Sequence, residues 1–336
     1  MRGAALPLLL LIPLLFGSGC ISIHFFDGGA AAPLQETTVW GEEGPKVLLV
    51  EIDGVIDGSN WVDPLLGEET PSMVARVREV LDRAREDDEV RAVLLRIDSP
   101  GGSATASEQV YTEIVRFKQE RDVPVTAQLL STAASGGYYI AMSADDVQAH
   151  PTTVTGSIGV IYTSLNFAGL MDKLGVEDQT ITGGRYKDVG SPFRPLTAEE
   201  RAQLQSIVDD LHERFREIVA RGRPDLTPEE IDELANGSVY SARQAVENGL
   251  VDRIGTVQEA AESLGRRIGV PEVRVVAYHR PREVRRNLYS QAALPAMGRK
   301  ELALGDWAGA TPLGGLQRLL ARPGFHYLWW PGIGAD

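Results

Sequence analysis

Residues 124–142 read PVTAQLLSTAASGGYYIAM, an apolar run followed by small residues and then by two tyrosines. The apolar run predicts a strand that ends near Leu130, and the segment after the small residues predicts a helix. A tight turn between them would lift Ser135 off the sheet edge and aim a helix N-terminus at it. Ser135 can then be a helix N-cap or a nucleophile presented beside an oxyanion donor. The local pattern leaves both interpretations open.

The sequence around this stretch alternates between strands and helices. Continuous apolar runs predict strands at 46–56, 90–98 and 123–130, with a last strand at 272–278. Helical periodicity is present in 71–88 and 197–223, and a helix is also expected after the glycine turn at 100–102. This order predicts an α/β fold with a mainly parallel sheet covered by helices.

Composition and net charge limit the classes of partner that the protein can bind. The chain has 336 residues, a net charge of −14 and a pI near 4.9. Binding to nucleic acid through its phosphates needs clustered lysine and arginine, and no basic stripe is present. The sequence therefore argues against a nucleic-acid partner.

The N-terminus has the features of an export signal. Residues 1–19 combine an early arginine, an apolar core and small residues directly before Cys20, the only cysteine. This layout predicts a lipoprotein signal in which Cys20 carries the lipid, although Gly17 stands where that pattern usually has leucine. The alternative is an uncleaved anchor, because residues 3–26 contain no charged side chain. Either interpretation predicts an exported, membrane-associated protein.

After residues 1–19, the sequence predicts a linker over 20–45, a folded domain over 46–278 and an extension of unassigned role over 279–336.

The sequence lacks the signature motifs of several classes of enzyme. No HExxH motif occurs, the five histidines have no metal-ligand spacing, and Ser135 is not in a GxSxG motif. His150 is the only histidine near Ser135 in sequence, and its position at a strand end favours a structural role. A serine can also be activated by a lysine that loses its proton in an apolar pocket.

Lys187 is the best candidate for that lysine. It lies in a glycine-containing loop, where an ordinary solvated side chain is the alternative role. The turn SPGGS at 99–103 could expose the Gly102 N–H, which together with the Gly136 N–H could complete an oxyanion hole. A plain turn between a strand and a helix is the alternative role for these glycines.

Three motifs together resemble the signal peptide peptidase A family, in its short single-copy form. They are IDSPGGS at 97–103, STAASGGYYIAMSADDVQAHPTTVTGSIGVI at 131–161 and GRYKDVGSPFRPLTAEE at 184–200. The resemblance extends over about 46–278. It implies a ClpP/crotonase-like fold of repeated β-β-α units, with Ser135 as nucleophile, Lys187 as general base, and Gly102 and Gly136 as oxyanion donors. It also implies that Ser157 orients the lysine, and that neither a metal nor another cofactor is required.

The same resemblance implies partners and a location. Its members degrade remnant signal peptides and other apolar, extended peptides at a bacterial membrane, and their subunits assemble into a ring or dome in which the lysine reaches a neighbouring serine. A non-catalytic membrane scaffold that retains the fold is the alternative function. A third possibility is an enzyme of acyl-thioester chemistry on the same fold. Such an enzyme would use the glycine turn as an oxyanion hole without a serine–lysine dyad, so the presence of both Ser135 and Lys187 argues against it. We also expect Tyr138 and Tyr139 to anchor the site in the core, the alternative being that they face the substrate groove.

Overall fold

The computed structural model describes residues 33–62, 69–281, 283, 285–290 and 324–329. The strands are β1 (Gln35–Trp40), β2 (Lys46–Asp53), β3 (Trp61–Val62), β4 (Glu69–Thr70), β5 (Val90–Ser99), β6 (Gly101–Ser103), β7 (Val125–Ala134), β8 (Asp146–Ala149), β9 (Val154–Gly156), β10 (Ile161–Thr163), β11 (Val239–Ser241), β12 (Arg253–Ile254), β13 (Arg274–His279) and β14 (Gly324–Leu328). The helices are α1 (Met73–Arg85), α2 (Ala104–Arg121), α3 (Gly136–Ala141), α4 (Ala168–Leu174), α5 (Ala198–Gly222), α6 (Pro228–Leu234), α7 (Ala242–Glu247) and α8 (Val257–Arg267).

A large, mainly parallel sheet forms the centre of the fold. Its strands follow the order β1-β13-β2-β5-β7-β8-β12, and only β1 is antiparallel to its neighbour along this path. β7 changes partner along its length, because Thr126–Leu129 pair with β8 whereas Thr132–Ala134 pair with β9. The predicted α/β fold class, with a mainly parallel sheet covered by helices, is confirmed.

Both faces of the central sheet are covered. Along β2, Leu48 and Val50 belong to one core cluster and Val47 and Leu49 to another, as expected when successive side chains point to opposite faces. The first cluster includes apolar residues of α1, α2, α3 and α5, and the second includes those of α8. Burial on both faces explains why the strand sequences are continuously apolar rather than alternating.

Three boundaries differ from the sequence-based prediction. Residues 35–40, assigned to a linker, form β1 because their backbone pairs with β13. β7 continues past Leu130 to Ala134, since its final residues pair with β9. Residues 324–328 of the C-terminal extension form β14, so β13 is not the last strand.

Candidate active site

Ser135 stands in a strained turn between β7 and α3. Its backbone has φ +53° and ψ −115°, a conformation that is uncommon for any residue but glycine. The Ser135 N–H donates to the carbonyl of Gly156 (2.8 Å), which fixes the turn against β9. The Ser135 hydroxyl is buried and has no hydrogen-bond partner among the described residues. It makes no capping bond to α3, so a helix cap does not explain this serine.

The two tyrosines after the turn hold it in place. Both rings are fully buried, and the Tyr138 hydroxyl donates to the carbonyl of Leu250 (2.8 Å). The Tyr139 hydroxyl donates to the carboxylate of Glu108. The expectation that these tyrosines anchor the site in the core is confirmed. Such anchoring offsets a backbone strain on the order of 1–3 kcal/mol at Ser135.

The two glycine turns meet next to Ser135. A Cβ built on Gly101 would lie 2.7 Å from the Gly136 nitrogen, so β6 and the start of α3 are in close contact. Gly102 is held in an equally narrow space, because a Cβ there would lie 2.0 Å from the carbonyl oxygen of Ile56. The Gly136 N–H belongs to the first turn of α3, where backbone donors have no partner within the helix. The structure thus brings both predicted oxyanion donors to the same place.

Ser157 lies on the adjacent segment. The pairing of β7 with β9 places Gly156 opposite Ala134, so Ser157 directly follows the residue that binds the Ser135 N–H. Ser157 also has a positive φ of +50° and donates its N–H to the carbonyl of Ser238 (2.7 Å). It lines a cavity of about 470 Å³. The other lining residues are Gly159, Val160, Ile161, Val208, His212, Ala235, Asn236, Gly237, Leu328 and Trp329.

Lys187 is exposed and lies on a long segment between β10 and α5. Its N–H donates to the carbonyl of Gly184 (3.2 Å), and none of the described hydrogen bonds or ion pairs joins its ammonium to Ser135 or Ser157. Within one chain, the structure therefore does not connect the two residues of the predicted dyad.

Ion pairs attach the segment that carries Lys187 to α5. Arg194 forms ion pairs with Asp188 (2.7 Å) and with Glu200 (2.5 Å). Glu200 also accepts the N–H of Thr197 in the capping box that starts α5. Hydrogen bonding to Arg194, and then to Thr197, lowers the pKa of the Glu200 carboxyl to about 2. The residue next to Lys187 is thus attached to the first turn of α5.

The remaining sequence-based predictions concern His150 and the export signal. His150 contacts the hydroxyl of Thr152 through its ring (3.0 Å) and forms no described bond to Ser135. Cys20 and the rest of the export signal lie outside the described residues. In the described part of the chain, no helix has both the length and the apolar character needed to cross a bilayer.

Sequence reasoning missed β14. This strand pairs with β6, which contains Gly102, and with β10. The short alternation of GFHYL is the only local signal for it, and no sequence pattern indicates that these residues return to the Ser135 region.

Comparison with known proteins identifies relatives of this chain. Residues 117–270, which include Ser135, Ser157 and Lys187, match peptidase family S49. The chain is 36% identical over 244 residues to an Enterococcus faecium protein provisionally named signal peptide peptidase SppA, covering 73% of this chain and 70% of that one. It is 41% identical over 177 residues to a protein of Synechocystis sp. provisionally named a protease, covering 53% of this chain and 63% of that one. It is 36% identical over 216 residues to Protease 4 of Haemophilus influenzae, covering 64% of this chain and 34% of that one.

The fold and these relatives define a protease with a ClpP-like α/β architecture. More narrowly, the chain belongs to peptidase family S49 and, within it, to the signal peptide peptidase A group.

Proposed function

We propose that this protein is a membrane-associated serine endopeptidase in which Ser135 is the nucleophile and Lys187 the general base. The observation that carries the proposal is the buried Ser135 hydroxyl, which has no partner among the described residues and stands on a strained turn directly before Gly136. A serine held this way is available for attack rather than used in structure.

The proposed mechanism uses only groups that this sequence supplies. The neutral amine of Lys187 takes the Ser135 hydroxyl proton while Oγ attacks the peptide carbonyl, and the N–H groups of Gly102 and Gly136 stabilise the oxyanion. When the C–N bond breaks, the lysine gives its proton to the departing amine. Water then attacks the acyl ester, its proton passes to the lysine, and the Ser135 hydroxyl is restored. Ser157 orients the lysine amine in this scheme.

We propose that Lys187 serves the Ser135 of a neighbouring copy in a ring or dome. Two features of the single chain support this arrangement: Lys187 is exposed, and its segment carries an unusual number of exposed apolar side chains. These are Leu165, Phe167, Leu170, Leu174, Val176, Ile181 and Phe193. Contact with a second copy would bury this surface and place the lysine amine in an apolar setting, where the neutral form is favoured.

The proposed substrates are remnant signal peptides and other apolar, extended peptides at the bacterial cell envelope. The name of the Enterococcus faecium relative supports signal peptides as substrates. Export by residues 1–19, followed by attachment through Cys20 or an uncleaved anchor, would keep the catalytic domain on the extracytoplasmic side of the membrane.

The dyad is tested by hydrolysis of a fluorogenic apolar peptide. We expect Ser135→Ala and Lys187→Ala each to lower kcat/KM by at least about a thousandfold, as removal of a nucleophile or its base does. Lys173→Ala is the matched control, because Lys173 is an exposed lysine of the same segment. Activity retained in both site variants would exclude the dyad, and an inactive wild-type assembly would favour a scaffold.

Mixing the two inactive variants tests the shared site. If the lysine comes from a neighbour, subunit exchange between Ser135→Ala and Lys187→Ala chains should restore about a quarter of the sites by random pairing. No recovery, despite exchange measured by mass spectrometry, would place serine and lysine of a working site in the same chain.

A further inference from the structure

A second cavity, of about 470 Å³, lies at the outer edge of β2, and neither Ser135 nor Lys187 lines it. β5 pairs with β2 as far as Asp53, whereas β13 pairs with it only as far as Leu49. In the described part of the chain, the last residues of β2 therefore have a neighbouring strand on one side only. On the other side, residues of α1 and residues that follow β13 surround the cavity.

Part of the cavity wall is apolar. Leu34, Val50, Val77 and Val80 line it. The cavity is also within the size range of small-molecule sites, which is roughly 300–1,000 Å³. A small ligand could therefore place apolar side chains against this wall.

Arg285 brings hydrogen-bond donors to the cavity. Only 8% of the residue is exposed, and its Nη2 forms ion pairs with Glu51 and with Glu283 (3.4 Å). The Nε and Nη1 of the same guanidinium are buried and have no partner among the described residues. Buried donors in folded proteins nearly always have an acceptor, so a ligand that supplies one fits this position. A carboxylate suits a guanidinium best, because its two oxygens can accept two parallel hydrogen bonds.

Two carboxyl groups stand side by side elsewhere in the cavity. Asp53 and Asp98 are register partners on the adjacent parallel strands β2 and β5, and both line the cavity. Asp53 Oδ2 accepts a hydrogen bond from Arg96 (2.9 Å), but Asp53 Oδ1 is buried and has no partner among the described residues. Burial, and to a smaller extent the charge of Asp53, raises the pKa of the Asp98 carboxyl. A ligand ammonium at this position would stabilise the charged form of both carboxylates.

The spacing of these groups limits the length of the ligand. Glu51, the ion-pair partner of Arg285, and Asp53 are two residues apart on β2 and therefore point to the same face of the sheet. At about 3.3 Å per strand residue, they are separated by about 7 Å. An extended chain spans about 3.3–3.6 Å per residue, so a dipeptide also covers about 7 Å. A single amino acid is too short to reach both Arg285 and Asp53.

We infer that this cavity binds a free dipeptide with apolar side chains, its carboxylate on Arg285 and its ammonium on Asp53 and Asp98. The apolar wall holds the dipeptide's side chains. Such dipeptides are end products of the breakdown of apolar peptides, but the inference goes beyond the proposed function and does not depend on it, because binding here requires no catalysis.

Calorimetric titration of the full-length Ser135→Ala chain with leucyl-leucine tests the inference. We expect leucyl-leucine to bind, and N-acetyl-leucyl-leucine, leucyl-leucinamide and free leucine each to bind at least about tenfold more weakly, because each loses a charged contact. Absence of binding, or equal affinity for leucyl-leucine and its two blocked forms, would overturn the inference.

A substitution then assigns the carboxylate to its partner. Arg285→Gln should weaken leucyl-leucine at least about tenfold and leave the affinity for leucyl-leucinamide unchanged, since the amide lacks the carboxylate that Arg285 binds. Arg286→Gln, at an exposed neighbour, is the matched control and should change neither affinity. Equal weakening of both ligands by Arg285→Gln, or of leucyl-leucine by both substitutions, would contradict the assignment.

Hydrogen exchange gives a second test in case Arg285→Gln does not fold. Saturating the Ser135→Ala chain with leucyl-leucine should slow exchange of the amides of residues 50–54 and 285–288 and leave residues 131–137 unchanged. Protection confined to 131–137 would place the dipeptide at the Ser135 turn and overturn the inference. If this protection pattern is found but the wild type hydrolyses no peptide, the proposed function fails and the dipeptide site stands.

Discussion

At the scale of single residues, the site depends on how little space surrounds its glycines. A methyl group on Gly136 would lie 2.4 Å from the Ser107 Oγ and 3.1 Å from the Gly101 Cα, so either Ser107 or the glycine turn would have to move. Gly136 is therefore required for the contact between α3 and β6, in addition to any role of its N–H.

We expect Gly136→Ala to lower kcat/KM by about a hundredfold or more, because the shift displaces an oxyanion donor. Peptide hydrolysis by the purified variant checks this. Gly159→Ala is the matched control, since a Cβ there would meet its nearest neighbour, the Gly237 Cα, at an ordinary 3.5 Å. Full activity in Gly136→Ala would contradict the proposed donor geometry.

At the scale of elements, an ion-pair cluster attaches the segment with Lys187 to α5. Asp188, Arg194 and Glu200 connect it to the capping box of α5. The lowered pKa of Glu200 means that its carboxyl remains charged until the pH falls toward about 2. The attachment of the segment is therefore retained throughout the neutral and mildly acidic range.

Arg194→Ala should release this attachment. We expect faster hydrogen exchange over residues 184–192 and a tenfold to hundredfold loss of kcat/KM, on the order that misplacement of a catalytic group produces. The melting temperature should fall as well, because the Glu200 carboxylate is buried and would lose its ion-pair partner. Arg201→Ala, which removes an exposed arginine of α5, is the control, and equal exchange in the two variants would argue against positioning by Arg194.

The elements that the sequence predicts well are those with local signals. β2, β5 and β7 are apolar runs, and α1 has its buried residues at helical spacing. β1 and β14 could not be predicted, because their partners are distant in sequence: β1 pairs with β13, and β14 pairs with β6. The same holds for the site, since local motifs identify Ser135 and the glycines, but the contact of Gly101 with Gly136 requires β5 and β7 to be adjacent.

At the scale of the whole molecule, one buried cluster joins distant parts of the chain. Lys46 of β2 forms ion pairs with Glu36 of β1 (2.9 Å) and with Asp87 after α1 (2.7 Å). Asp87 also accepts the hydroxyl of Tyr278 from β13 (2.6 Å). Burial acts to raise the pKa of Asp87, but hydrogen bonds from Lys46 and Tyr278 outweigh it and lower this pKa to about 2.

This cluster predicts an acid-dependent loss of stability. The unfolded Asp87 carboxyl, with a pKa near its ordinary value of 3.8, binds a proton more readily than the folded one. Its stabilising contribution is therefore complete above about pH 4 and is lost as the pH falls toward about 2. Urea unfolding between pH 5 and pH 2 should show a shallower decline for Asp87→Asn than for the wild type. Asp88→Asn, at a fully exposed neighbour, should follow the wild type, and identical slopes for all three would contradict the assignment.

The change of partner along β7 separates two regions of the molecule. The β8–β12 edge contacts only the first half of β7, while the end that leads to Ser135 is held by β9 and, through it, by β11. Strand pairing thus makes the Ser135 turn depend directly on β9 and β11, whereas it is connected toward β12 through the hydrogen bond of Tyr138 to Leu250. Substitutions in β12 should be tolerated without loss of activity, whereas equally conservative substitutions in β11 should lower activity. We therefore expect β11 and β12 to evolve at different rates.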